Sequence, residues 1–264
     1  MSLKRSYNGI PTGEIRNFLE EKYLQYDNFS FIDCDPISIP HSFTDARDIE
    51  ISGFLAATIA WGRRDLILRS SGIMLELMEN SPYDFIMSAG ENDLKRFSGF
   101  VHRTFNGTDC IYFLKGLNNI YHNYNSLEEV ILEGMKADGS VRDGLAYLRK
   151  IFFSLNHPGR TEKHFADVMG GAAGKRLNMF LRWMVRKDNR GVDFGIWSGI
   201  DPSKLYIPLD LHSGNTARRL GLLTRKINDW KAVEELTGLL REFDPCDPVK
   251  YDFALFGLGV NEKF

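Results

Sequence analysis

Cysteine is scarce in this chain. Cys34, Cys110 and Cys246 are odd in number, far apart and form no C-x-x-C pair, which argues against both a disulfide framework and a zinc site. The histidines at 41, 102, 122, 157, 164 and 212 show neither H-x-x-x-H nor H-E-x-x-H spacing, so metallohydrolase chemistry is not expected. No apolar run is long enough to span a bilayer, and no association with a membrane is expected. The opening Met1-Ser2-Leu3-Lys4-Arg5 lacks the apolar stretch of a signal peptide. A cytoplasmic location is therefore expected, and a monomer is the expected state. Surplus positive charge is missing too. A formal net charge of −2 argues against a protein that coats nucleic acid by neutralising phosphates along its length. It leaves room for a site-specific enzyme with a local basic face. Apolar–polar alternation is absent over any useful length, so strands contribute little.

Helical periodicity is abundant. The 264 residues suffice for one large domain or two lobes with a real core. Helices are predicted over 13–26, 45–61, 64–78, 109–124, 126–135, 141–155, 174–187, 211–220 and 230–243. In the second, Ile51, Phe54, Leu55, Thr58 and Ile59 share a stripe, with Gly62 as its C-cap. Ser126-Leu127-Glu128-Glu129 reads as a capping box. A last helix opens at Asp247-Pro248, with Asp as N-cap and Pro at its first position. The stretch 188–206 is long and irregular, a kind of loop that is often functional. The expected fold is all-α: a single two-lobed helical domain over 1–264, with a ligand groove between the lobes.

One helix carries a charged stripe. Leu177, Phe180, Leu181, Met184 and Val185 form its apolar side, and Lys175, Asn178, Arg182 and Arg186 the opposite one. Such a stripe is either a solvated face or a surface for a nucleic-acid backbone. Gly174 precedes Lys175, and Arg176 adds charge beside it. A lysine attacks only as the free amine, a form that positive surroundings such as a helix N-terminus favour. Further on, Ile207-Pro208-Leu209-Asp210-Leu211-His212 leads into Thr216-Ala217-Arg218-Arg219-Leu220-Gly221-Leu222. Here Asp210 is placed as the N-cap of a helix.

This last stretch resembles the catalytic-aspartate segment of the helix-hairpin-helix base-excision DNA glycosylases, the endonuclease III and 8-oxoguanine glycosylase superfamily. Their pattern is Val/Ile-Pro-x-Asp-x-His followed by an Arg-x-Leu-Gly-Leu helix end. Val168-Met169-Gly170-Gly171-Ala172-Ala173-Gly174-Lys175 is a looser version of the family hairpin Leu-Pro-Gly-Val-Gly-x-Lys, without the proline and with different glycine spacing. The resemblance implies the two-lobed glycosylase fold and DNA as partner. It implies Lys175 as the nucleophile that attacks the sugar C1′ of a flipped nucleotide, and Asp210 as the carboxylate that stabilises the oxocarbenium-like sugar. Gly174, Arg176, Asn178, Arg182, His212, Asn215 and Arg218 become candidate phosphate contacts. In the other lobe Trp61, Arg63 and Arg64, at the end of an early helix, become candidates to fill the gap left by base flipping. Lys175 and Asp210 are 35 positions apart, further than in the endonuclease III type, and the stretch 188–206 is the difference. The four-cysteine iron–sulfur cluster of that type has no ligands here, because only Cys246 lies near the last helix; no cofactor is expected. The segments 175–186 and 247–259 also resemble a bacterial family without an established activity. A non-catalytic binder of nucleic-acid structure on the same fold is the alternative function.

Overall fold

The structure is a computed structural model that describes residues 6–7, 10–136 and 139–264, so the opening Met1–Arg5 lies outside the described residues. It is mostly helical: α1 (Thr12–Tyr26), α2 (Phe29–Ile32), α3 (Ala46–Thr58), α4 (Arg64–Leu77), α5 (Pro82–Ser88), α6 (Glu91–Lys95), α7 (Gly107–Asn123), α8 (Leu127–Met135), α9 (Val141–Phe152), α10 (Lys175–Val185), α11 (Leu211–Arg219), α12 (Trp230–Phe243) and α13 (Tyr251–Asn261). Two antiparallel pairs of two-residue strands join them: β1 (Ser6–Tyr7) with β2 (Ile10–Pro11), and β3 (Val101–His102) with β4 (Phe105–Asn106). Among the described residues no helix is long and apolar enough to cross a membrane.

The caps follow the sequence with three corrections. Ser126 does accept the Glu129 N–H at 3.1 Å, but the Glu129 carboxylate turns to the Asn125 N–H at 2.7 Å, so the box is only half formed. Asp247 makes no cap. Pro248–Lys250 is a 3₁₀ turn, α13 begins at Tyr251, and the Asp247 carboxylate accepts from Arg186 Nε at 2.8 Å instead. Gly62 is not the C-cap of α3, which ends at Thr58; it lies beyond, at φ +102°, where an L side chain is strained.

The chain divides into two compact units, one of Met1–Phe31 with Gly170–Phe264 and the other of Ile32–Met169. In the continuous unit, an aromatic core joins α3, α7 and α9: Phe113 and Phe152 rings lie 4.8 Å apart, with Phe54 5.7 Å from Phe152. Close approach of α8 and α9 requires Gly134 and Gly144, since a Cβ at Gly144 would stand 2.6 Å from Ile131 Cγ2. Glu50, buried in α3, accepts from the Leu127 N–H at 2.7 Å and from the Tyr121 hydroxyl, which ties α8 to α3 and α7.

In the other unit, α1 and α11 pack on α13, and Leu19, Leu236, Leu240, Leu255 and Leu258 are fully buried in a shared core. The irregular stretch 188–206 belongs to this core. Val192, Trp197 and Ile200 are buried, and the N–H groups of Phe194 and Trp197 bond the carbonyls of Trp183 and Met184, each at 2.8 Å. Those carbonyls are among the last of α10, which the helix leaves without internal partners. The stretch thus completes the end of α10.

Candidate functional site

Lys175 is the first residue of α10. Gly174 before it is left-handed, at φ +61°, and Gly171 stands at φ +97°. The turn is pinned from the other side of the unit, where the Trp230 N–H bonds the Gly171 carbonyl at 2.9 Å and Ala172 bridges to Asp229. Asn178 closes it, donating from Nδ2 to the Ala173 carbonyl at 3.2 Å. The Lys175 side chain is half-buried and runs along the helix, with Nζ 3.6 Å from Met179 Sδ.

The opposite stripe of α10 does not face solvent. Asn178, Arg182 and Arg186 are 1%, 2% and 1% exposed, so Asn178 and Arg182 are not placed to meet a phosphate backbone. The reason is a set of aspartates: Asp188 and Asp193 from the stretch that follows the helix, and Asp27, Asp247 and Asp252 from distant parts of the chain. Arg182 donates to Asp193 at 3.2 Å and to Asp252 at 2.5 Å, with its guanidinium 4.1 Å from the centre of the Phe253 ring. Arg186 meets Asp247 at 2.8 Å, Asp188 at 2.7 Å, Asp193 at 3.0 Å and Asp27 at 3.2 Å, and donates to the Tyr23 hydroxyl at 2.8 Å. Buried cations require such pairing. The carboxylates outnumber the cations, and it shows in their titration. Burial pushes Asp27 up to about 7; Arg186 opposes this, while Asp188 and Asp193 add to it. Burial also raises Asp247 against the pull of Arg186. Arg176 is half-buried, and loss of hydration brings it down to about 10, still a cation at neutral pH.

Asp210 is the N-cap of α11, as its position in the sequence indicates. Its Oδ1 accepts the Ser213 N–H at 2.9 Å and hydroxyl at 3.1 Å, and the Ser213 hydroxyl oxygen accepts the Asp210 N–H at 3.0 Å. Arg218 does not project outward as a phosphate contact. It donates to the Arg225 carbonyl at 2.8 Å and to Asn228 Oδ1 at 2.5 Å, and Asn228 in turn donates to the Asp210 carbonyl at 2.8 Å. Arg218 therefore braces the catalytic candidate from behind. A Cβ at Gly214 would stand 2.8 Å from Asn228, so this bracket also requires the glycine. His212 and Asn215 are exposed on α11, His212 edge-on to Phe256 at 6.2 Å. Leu211, 65% exposed, stands beside the cap.

Lys175 and Asp210 both act electrostatically on a third group. Asp252, in the first turn of α13, is buried and bonded to Arg182. Burial raises its carboxyl to about 7; Arg182 and Lys175 pull it down, while Asp210 and Asp193 push it up. A nucleophile candidate, a carboxylate at a helix start and a carboxyl that exchanges its proton near neutrality thus share one electrostatic neighbourhood. Perturbed carboxyls of this kind mark functional sites more often than chance. Nothing local in the sequence marks Asp252 except its charge in an otherwise apolar helix.

Trp61, Arg63 and Arg64 lie in the other unit. Trp61 is packed rather than projecting. Its ring stacks on His164 at 5.8 Å, meets His102 edge-on at 5.1 Å, and its carbonyl bonds His102 Nε2 at 3.2 Å. Arg63 is exposed and forks onto Asp65 at 2.6 and 3.0 Å, while Arg64 is half-buried at the start of α4. Arg103, at the tip of the β3–β4 hairpin with φ +55°, lies against Gly62 and adds a further exposed cation.

Among the described residues no group of three or more His, Cys, Asp or Glu side chains could hold a metal ion. Comparison with curated proteins and with solved structures gives no match. Residues 35–261, which include Lys175, Asp210 and Asp252, match a family described as a protein of unknown function (DUF2400), and the chain belongs to that family.

Proposed function

We propose that this protein is a DNA glycosylase with lyase activity, acting on a damaged base in base-excision repair. The observation that supports the reading is that Lys175 and Asp210, 35 positions apart and each at the start of a helix, both bear electrostatically on one buried carboxyl, that of Asp252. The nucleotide is flipped out of the duplex so that its sugar reaches the site. Lys175 attacks C1′, and Asp210 stabilises the cation that develops on the sugar as the base leaves. The start of α11, with the exposed side chains of His212 and Asn215, supplies N–H groups and side chains for a phosphate oxygen.

The second reading, a non-catalytic binder of nucleic-acid structure, is favoured by one observation. Asp210 Oδ1 is already occupied by the Ser213 N–H and hydroxyl, as in an ordinary helix cap. Borohydride trapping on duplexes carrying 8-oxoguanine, an oxidised pyrimidine, uracil or an abasic site separates the two. The expected result is a covalent adduct that Lys175→Ala abolishes, and base release that Asp210→Asn lowers by about a hundredfold or more while DNA binding persists. DNA binding with neither adduct nor base release on any duplex would establish the second reading and reject the first.

A further inference from the structure

The turn that opens α10 and the cap that opens α11 are tied to one short segment, Arg225 to Trp230. At its end the Trp230 N–H bonds the Gly171 carbonyl at 2.9 Å, and Asp229 bridges to Ala172, three residues before Lys175. Asn228, just before them, donates from Nδ2 to the Asp210 carbonyl at 2.8 Å. Asp229 fastens the segment itself: its carboxylate accepts from Arg225 Nε at 2.6 Å and from the Ala232 N–H at 3.0 Å, capping α12. Contacts made by three consecutive residues therefore set the spacing between the start of the Lys175 helix and the candidate carboxylate.

The Asn228 amide is held in one sense. Arg218 Nη2 donates to its Oδ1 at 2.5 Å, and Arg218 Nε donates to the Arg225 carbonyl at 2.8 Å. A guanidinium only donates, so the amide oxygen must face Arg218 and the NH2 must face Asp210. The Asp210 carbonyl also accepts the Gly214 N–H at 3.0 Å. On the Asp210 side chain, Oδ1 takes the Ser213 N–H and hydroxyl, while among the described residues no donor meets Oδ2. The peptide is fixed, and one carboxylate oxygen stays open.

We propose that Asn228 is a positioning residue: it holds the Asp210 carboxylate in register with the start of the Lys175 helix, and Arg218 fixes its amide. This rests on the glycosylase reading of the Lys175–Asp210 site. A carboxylate that stabilises a developing sugar cation works only over a narrow range of geometry. Its support therefore governs the rate of base release rather than DNA binding. Asn228 acts through Asp210, while the Lys175 side has its own ties to Asp229 and Trp230.

The test compares two steps in Asn228→Ala: base release from the duplex on which wild type acts, and borohydride trapping on a preformed abasic duplex. The abasic sugar has already lost its base, so trapping needs Lys175 but not the cation that Asp210 stabilises. Asn228→Ala should lower kcat for base release about tenfold or more, with KM within about twofold and trapping close to wild type. Asn228→Asp keeps an acceptor for Arg218 but cannot donate to the Asp210 carbonyl, so it should be as slow as Asn228→Ala. Base release at the wild-type rate in either variant, or trapping that falls in step with base release, overturns the role and leaves the glycosylase reading standing. No base release by wild type from any duplex rejects that reading, and this role with it. A second measurement needs no DNA: hydrogen exchange of the Ser213 and Gly214 N–H groups, both of which bond Asp210. Both should exchange about tenfold or more faster in Asn228→Ala, with the Ala232 N–H on its Asp229 cap unchanged. Ser213 exchange at the wild-type rate, or equal acceleration at Ala232, overturns the link between Asn228 and the cap, whatever the duplexes show.

Discussion

Asp193 joins the two buried arginines, and removing it tests how the network is held. Its Oδ1 accepts from Arg182 at 3.2 Å and its Oδ2 from Arg186 at 3.0 Å, with the side chain fully buried. Removing one partner of a buried ion pair costs ~3–5 kcal/mol. Two features draw the expected value towards the lower limit. Arg182 keeps Asp252, and Arg186 keeps Asp27, Asp188 and Asp247. The lost charge also relieves Asp27, Asp247 and Asp252, each of which Asp193 disfavours as an anion. Asp193→Ala is therefore expected to destabilise by about 3 kcal/mol. Asp193→Asn should agree with it to about 1 kcal/mol, because both strip the charge. The assay is urea unfolding at neutral pH, with a thermal midpoint lower by about 6–12 °C as its companion. A loss below about 1 kcal/mol would refute the reasoning, since that is what an exposed pair is worth. A large effect of Ala with Asn close to wild type would show that hydrogen bonding rather than charge sustains the network.

Two more predictions concern the same unit. Asp27 holds a proton in the folded state up to about 7, against an ordinary value of 3.8, so the folded protein binds more protons than the unfolded chain between those limits. The contribution of Asp27 to stability therefore falls as pH rises from about 4 to about 7. Asp27→Asn should be less harmful, relative to wild type, at about pH 8 than at about pH 5; the opposite order of urea midpoints would contradict the assignment. Gly257→Ala would place a Cβ 2.2 Å from Tyr26 Cδ2, displacing a ring whose hydroxyl bonds Glu262 at 2.5 Å. The expected cost is ~1–3 kcal/mol. A double mutant with Tyr26→Ala should recover part of it, and strict additivity would argue against the clash.

Sequence periodicity was enough for the long helices. α1, α4, α10, α11 and α12 begin and end within two residues of the expected limits. α5 and α6 escaped it, since five to seven residues are too few to establish a helical stripe. The charged side of α10 is not a surface, and periodicity carries no information about its counterions: Asp27, Asp247 and Asp252 are distant in the chain, and Asp193, although only seven positions past Arg186, lies in a stretch without regular structure. Asp210 was legible as a cap because a cap is a local event, settled by the residue three positions on. Asp252 was not, because its altered acidity arises from burial and from side chains on three other segments. The stretch 188–206 is legible only as long and irregular, because no periodicity marks its buried positions, and Val192, Trp197 and Ile200 make it part of the core.

The pairing of α1 with α13 has a consequence for how the chain is made. One unit is continuous, from Ile32 to Met169, while the other is assembled from Met1–Phe31 and Gly170–Phe264. On the ribosome α1 emerges long before the helix it packs against. At about 5–20 residues per second it waits on the order of ten seconds or longer for its partner. During that time the continuous unit can complete its local contacts and fold. The discontinuous unit must close contacts of very long sequence separation, which slows folding. Lys175, Asp210 and Asp252 all belong to it, so the candidate site forms only once α13 has arrived.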